Sequence, residues 1–223
     1  TITSTTVTGS YSDLNTLYSN KVGTAGLGGE DFTVSGTLTV AQANALDDHT
    51  TGAITATISE GDAATLVGLT DDNSNNVLTI SLTDATASVA NIITINGKTA
   101  GTLTVSSTTI TGTVAALNTV YASSGISGLG NEAITLSDSS VDAAHLNTLD
   151  AYTSGAINAA SITTLTGSTS AQATARASSG IINLDGSGGG GGSNPEGSVT
   201  ASYLNTLDAD TSGTVDASAV TTI

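Results

Sequence analysis

Short runs of alternating apolar and polar residues punctuate this chain, among them ITATIS (54–59) and VLTISLT (77–83). Each leads into a patch with Leu, Val or Ala three residues apart, such as VAALNTVY (114–121) or VDAAHLNTLD (141–150). Alternation with period two predicts a half-buried strand, and spacing of three predicts a helix turned toward a core. Further strands are predicted in DFTVSGTLT, TLTVSS, AITLS and INAASITTL, and further helices in SYSDLNTLY, TVAQANALDD, SEGDAATLVGL and DATASVANII. Ser, Thr or Asp commonly stands where the N-cap of each helix belongs. Gly- or Asn-containing turns (TTG, DDNSNN, NGK, TSG) close the units.

The units belong to a longer repeat. TITSTTVTGSYSDLNTLY (1–18) aligns with TVSSTTITGTVAALNTVY (104–121), and GLGGEDFTVS (26–35) with GLGNEAITLS (128–137). The tail VTASYLNTLDADTSGTVDASAVTTI (199–223) aligns with VDAAHLNTLDAYTSGAINAASITTL (141–165). Strand, short helix and turn recurring every 22–30 residues predict a mainly β chain: a right-handed parallel β-solenoid, or α/β solenoid with short helices between strands. Two tandem β-sandwich domains, about 1–100 and 101–186, are the alternative. The expected organisation is a repeat region over 1–185 (long repeats 1–103 and 104–185), a glycine-rich flexible linker at 186–197, and a spare repeat at 198–223. Residue 1 is expected to be a processed or trimmed end, because the chain contains no Met. The linker is consistent with either a natural or an engineered tether.

Composition narrows the functions. Lys21, Lys98 and Arg176 face nineteen acidic residues, giving a net charge of −16. Such a chain repels phosphate backbones and anionic headgroups, so neither nucleic acid nor membrane insertion is expected, whereas divalent cations suit it. Without Cys, disulfides and thiolate metal sites are excluded.

Several motifs invite a chemical reading. DADTSG (208–213) fits the start of a calcium loop, making Asp208, Asp210 and Ser212 the candidate ligands and Ca2+ the only cofactor considered. Ala219 occupies the place of the bidentate Glu, so a turn is the preferred reading. The Asn of LNTL recurs as Asn15, Asn118, Asn147 and Asn205, with Asn44 in ANAL; its amide is expected to bond backbone groups at a helix end or turn. GLGG and GLGN read as turns. His49 and His145 lack a repeated carboxylate or Cys partner, no Ser/His/Asp arrangement stands out, and no enzyme is expected. Thr33, Thr55, Thr79, Thr104 and Thr135 could align as hydroxyl rows on a sheet face, which would suit an ice-binding or adhesin-type module.

The tail suggests assembly. Written ahead of residue 1, GTVDASAVTTI runs into TITSTTVTG as one strand. Val215 to Ile223 is therefore expected to pair with Thr1 to Gly9 of a neighbouring copy by donor-strand complementation, building a head-to-tail homopolymer. Its assembly residues would be Thr1, Ile2, Thr3, Val7, Val215, Val220, Thr222 and Ile223. LNTLDAYTSGAINA, LNTLDADTSGTVDA and ITATISEGDAATLVGL resemble repeats of very large extracellular proteins of cyanobacteria and other bacteria. That resemblance implies a secreted or cell-surface structural role, such as adhesion, a coat layer or a filament. The expected function is a structural subunit of an extracellular filament or surface layer.

Overall fold

The computed structural model describes residues 5–20, 27–184, 197–198, 200–210, 217 and 220–223. In chain order the elements are β1 (Thr6–Gly9), α1 (Tyr11–Ser19), β2 (Asp31–Leu38), α2 (Val40–Asp47), β3 (Ile54–Ile58), α3 (Ala63–Leu66), β4 (Val77–Leu82), β5 (Thr86–Ser88) and α4 (Val89–Asn96). There follow β6 (Leu103–Val105), β7 (Thr109–Gly112), α5 (Val114–Tyr121), β8 (Ile126–Ser127), β9 (Ala133–Leu136), β10 (Ser140–Asp142) and α6 (Ala143–Asp150). The last are β11 (Ile157–Asn158), β12 (Thr164–Thr166), α7 (Thr169–Ala177), β13 (Ile181–Ile182), β14 (Gly197–Ser198), α8 (Ala201–Asp210) and β15 (Val220–Thr222).

The fold is α/β: two all-parallel sheets of six and five strands with interleaved helices, 32% helix and 28% strand. The chain divides into two compact units, one comprising Thr1–Ser107 with Ser123–Gly128, the other Thr108–Ala122 with Leu129–Ile223. In the first unit the sheet order is β1-β2-β3-β4-β6-β8, every pair parallel. Phe32 faces Ile54 and Ala56 faces Leu78, each twenty-two residues on; Thr6 faces Asp31, twenty-five on. In the second unit β7, β9, β11 and β13 pair in parallel in the same manner, and β10 pairs with β12.

The helices form for the reasons their sequences suggest. Ser10, Thr39, Asp62, Ser88, Thr113, Asp142 and Ser168 are N-caps whose side chains accept from an amide two or three residues on. Behind each cap the buried residues recur at three-residue intervals: Val40, Ala43, Leu46; Val89, Ile92, Ile95; Val114, Leu117, Val120; Ala143, Leu146, Leu149. In the first unit the strand positions Phe32, Ile54, Leu78, Ile80 and Leu103 are likewise buried.

The weight of those helices corrects the expected fold class. The predicted helical patches are formed, capped and as extensive as the strands, so the chain is α/β with two all-parallel sheets, and neither the mainly β, right-handed β-solenoid nor its α/β-solenoid form stands. Two β-sandwiches are overturned as well, because sandwiches are built from antiparallel pairs and the strand pairs described here are all parallel. The arrangement is Rossmann-like in its parallel strands and helical connections. Its six-stranded sheet nevertheless runs in chain order without reversal, and so lacks the switch point at which Rossmann sheets bind ligands.

Donor-strand complementation is corrected too. The strand expected to leave for a neighbour, Val220–Thr222, pairs in parallel with Gly197–Ser198 of the same tail. Gly197 faces Val220, an offset of twenty-three residues like that of the other repeats. The strands on either side of helix α8 thus pair within the tail itself.

Candidate functional site

The chemistry-bearing side chains of this protein converge on the joints between successive repeats. Four joint types recur, and each grows from a local sequence signal.

The first is the Thr-x-Gly turn. Thr50 Oγ1 donates to the Glu30 carbonyl at 2.6 Å and accepts from the Gly52 amide at 2.9 Å. Thr153 does the same with the Glu132 carbonyl (3.1 Å) and Gly155 (3.0 Å), and Thr99 with Leu78 (2.8 Å) and Gly101 (2.8 Å). Glycine is required by the close approach of backbone: a Cβ on Gly155 would lie 2.1 Å from the Glu132 carbonyl oxygen, and one on Gly101 2.3 Å from that of Leu78. The TSG at 153–155 is such a turn, whereas the TSG of the calcium candidate, 211–213, lies outside the described residues. Asp208 lies in the last turn of α8 and Asp210 ends that helix, while Ser212 falls outside the described residues. Among the described residues no group of three or more His, Asp or Glu is placed to hold a metal ion.

The second joint is a buried carboxylate that the sequence reading missed. Glu30 and Glu132, 3% and 2% exposed, follow the GLGG and GLGN turns. Glu30 Oε2 accepts from the amides of Gly28 (2.8 Å) and Gly29 (3.2 Å) and from the Tyr18 hydroxyl (2.9 Å). Glu132 accepts from Gly130 (2.8 and 2.9 Å), Asn131 (3.1 Å) and the Tyr121 hydroxyl. The turns present their amides because Gly28 and Gly130 adopt φ of 123° and 129°. Burial alone would raise the Glu30 carboxyl, but the Gly28 amide, the Tyr18 hydroxyl and the Gly29 amide outweigh it and hold its pKa below the ordinary range. Burial, the hydrogen bond to the carboxylate and its charge push both tyrosine hydroxyls well above their ordinary value. Tyr18 also packs edge-on against Phe32 at 4.7 Å. The signal was available in sequence: LNTLY…GLGGE and LNTVY…GLGNE repeat a Tyr and a Glu at matching positions.

The third joint clamps a helix from the next repeat. The Val40 amide donates to both oxygens of Glu60 (3.1 and 3.2 Å), the Ala63 amide to Asp84 Oδ2 (2.6 Å), and the Val114 amide to Asp138 Oδ2 (2.8 Å). Each is the first residue of a helix, where a free amide and the helix dipole both favour an anion. The acids come from TISE, SLTD and TLSD, at the end of the following strand.

The fourth is the Asn of LNTL. Asn44 Nδ2 donates to the Gly68 carbonyl (2.8 Å) while its Oδ1 accepts from the Thr70 amide (2.9 Å). Asn118 and Asn147 donate to the carbonyls of His145 (3.0 Å) and Ala171 (2.9 Å). Asn15 meets the His49 ring at 3.2 Å. The amide therefore reaches beyond its own helix end to the next repeat.

An open groove of about 410 Å³ beside Glu30 is lined by Gly28, Asp47, Asp48, His49, Asp72 and Asn73 among others. Asp47 is not free to bind there, since its oxygens accept from Asn76 Nδ2 (2.8 Å) and the Asp72 amide (3.2 Å).

Of the expected assembly residues, Val7 lies in β1 opposite Phe32, and Val220 and Thr222 in β15 opposite Gly197 and Ser198. Ile223 is 75% exposed. Thr1, Ile2, Thr3 and Val215 fall outside the described residues. No helix among the described residues is long and apolar enough to cross a membrane. No protein-family model, curated protein or solved structure matches the chain.

Proposed function

We propose that the chain is a non-catalytic structural module of an extracellular or cell-surface assembly, associating with copies of itself head to tail. The observation that carries this reading is the use of its buried polar side chains. Glu30, Thr50, Asn76, Glu132 and Thr153 are buried, and each is hydrogen-bonded within or between repeats. A chain that commits its polar groups to internal joints is specialised for rigidity. The composition, the repeats and the resemblance to large extracellular bacterial proteins support the same role.

Size-exclusion chromatography with light scattering, followed by negative-stain microscopy, tests it. Linear oligomers that lengthen with concentration are expected. Added salt should promote them, because a net charge of −16 makes copies repel one another. A monodisperse monomer without filaments at the highest soluble concentration, with and without salt, overturns self-assembly.

A second reading rests on the exposed face of the six-stranded sheet. Thr8, Thr33 and Thr55 lie in one register row, Thr37, Thr57 and Thr79 in another, and Ser81, Thr104 and Ser127 in a third. Uncharged hydroxyl rows suit an ice-binding or adhesin-type monomer. Thermal hysteresis measured on the monomer separates this reading from the first, and its absence removes ice binding.

A further inference from the structure

We propose that under tension the chain yields one strand–helix repeat at a time, a stepwise extensible element rather than a block that unfolds as a whole. The idea rests on the structural reading above only for its use in an assembly; the mechanical behaviour stands on the connectivity.

In the first unit the strands lie across the sheet in chain order, so the chain enters at one edge and leaves toward the other. Tension on its ends therefore acts across the strands, along the inter-strand hydrogen bonds. It loads one repeat at a time instead of shearing many strands together; past β4 a repeat is held in both sheets, because β5 and β7 belong to the five-stranded sheet. The side-chain joints obey the same rule. Val40 to Glu60, Ala63 to Asp84, Asn44 to Gly68, Leu78 to Thr99, Thr104 to Ser127 and Asp47 to Asn76 each join one repeat to the next, at separations of 20 to 29 residues. None of these joints skips a repeat. In the second unit Val114 to Asp138, Asn118 to His145 and Asn147 to Ala171 have separations of 24 to 27.

Nearest-neighbour connectivity has a mechanical consequence. Peeling off a terminal repeat breaks one interface and uncovers an equivalent one, so the number of folded interfaces falls by one. The remaining repeats keep their joints. The released length follows from the register: Phe32 to Ile54 spans twenty-two residues and Thr6 to Asp31 twenty-five. At about 3.6 Å per extended residue, less the roughly 5 Å between paired strands, each step frees about 75–85 Å of contour.

The test is to pull the full chain by handles at its two ends in an optical trap. A ladder of transitions with a commonest contour increment of about 75–85 Å is expected. Asn76→Ala, which removes the bonds to Asp47 and to the Ile54 amide, should lower the force of one or two steps without changing their length. A single transition that releases either unit at once overturns the proposal, and the wild-type record decides even if the variant does not fold. A strictly monomeric chain would remove self-assembly while leaving the ladder intact. Filaments built from a chain that opens in one event would do the reverse.

Discussion

The clamp from Asp84 to Ala63 isolates one joint between repeats. Asp84 Oδ2 accepts from the first amide of α3 at 2.6 Å, and the helix has its own cap, Asp62, on the Thr65 amide at 2.9 Å. Asp84→Ala removes the inter-repeat acceptor and leaves that local cap untouched. A hydrogen bond to a charged group contributes about 1.5–3 kcal/mol. Asp84 is part-exposed, so water replaces some of that, and the expected loss is about 1–2 kcal/mol. For a chain of this size the melting temperature should fall by about 2–8 °C. Asp84→Asn keeps an acceptor and should lose less. The backbone partner can be removed as well. Asp62 has φ −92° and ψ 137°, a conformation that tolerates a following proline, and proline is accepted at the first helical position. Ala63→Pro deletes the amide and places ring carbon against the carboxylate. The double variant should therefore be no less stable than Ala63→Pro alone. Urea unfolding followed by circular dichroism at 222 nm supplies the numbers, since the chain has no Trp. If Asp84→Ala costs as much in the proline background as in the wild type, the carboxylate does not act through this amide.

Other joints give sharper contrasts. Gly155→Ala, with its Cβ 2.1 Å from a backbone oxygen, should destabilise by at least about 2 kcal/mol, whereas Gly9→Ala, whose nearest neighbour would lie at 3.6 Å, should change stability by under about 1 kcal/mol in the same urea assay. Thr153→Val leaves the Glu132 carbonyl and Gly155 amide without their hydroxyl and should cost about 1–3 kcal/mol, with Thr153→Ser restoring most of it. The folded Glu30 carboxyl titrates below its unfolded value, so its stabilisation is present above about pH 4.3 and is lost as pH falls through the depressed folded pKa. Tyr18→Phe removes one of the groups that depress it, and acid unfolding should begin at higher pH. Tyr18 and Tyr121 are raised, so their contribution holds below about pH 10 and fades as pH climbs toward their folded pKa values; alkaline titration of the melting temperature checks the sign.

Much of this architecture was legible because its signals are local. Period-two runs such as ITATI and three-residue spacing such as Val114, Leu117 and Val120 fixed strands and helices where they occur. The helices were legible but their weight was not: patches of eight residues suggest short links in a mainly β coil, whereas capped and with buried faces they match the strands in extent. The Asn of LNTL was read in the right spirit, though its partner two dozen residues away could not be found without the register. Glu30 and Glu132 were passed over because a Glu beside a Gly-rich turn reads as solvated. Burial reverses that reading, since only a site offering two amides and a tyrosine hydroxyl holds a carboxylate out of water. The tail was misread for a different reason: GTVDASAVTTI followed by TITSTTVTG makes a convincing strand on paper, but matching sequence does not say which of several equivalent partners is taken.

The two long repeats differ where it matters for their joints. In the second, Asp138 follows strand β9 and clamps the first amide of α5. By the alignment of GLGGEDFTVS with GLGNEAITLS, the matching place in the first repeat is Gly36, which cannot supply a carboxylate. Gly36 instead adopts φ 88° inside β2, and the register with β3 shifts between Thr33 and Thr37. That bulge lets β2 run for eight residues, against four in β9, so Leu38 still faces Ile58 beyond it. The first repeat thus exchanges a helix clamp for two further strand pairings, Thr37 to Thr57 and Leu38 to Ile58. A carboxylate placed at Gly36 would meet open space but would carry the strain of a positive φ. Gly36→Asp should accordingly destabilise the chain, even though it restores the acid of the second repeat. A gain in stability would mean that the clamp is worth more than the bulge, and that joint strength follows the residue rather than the backbone that presents it.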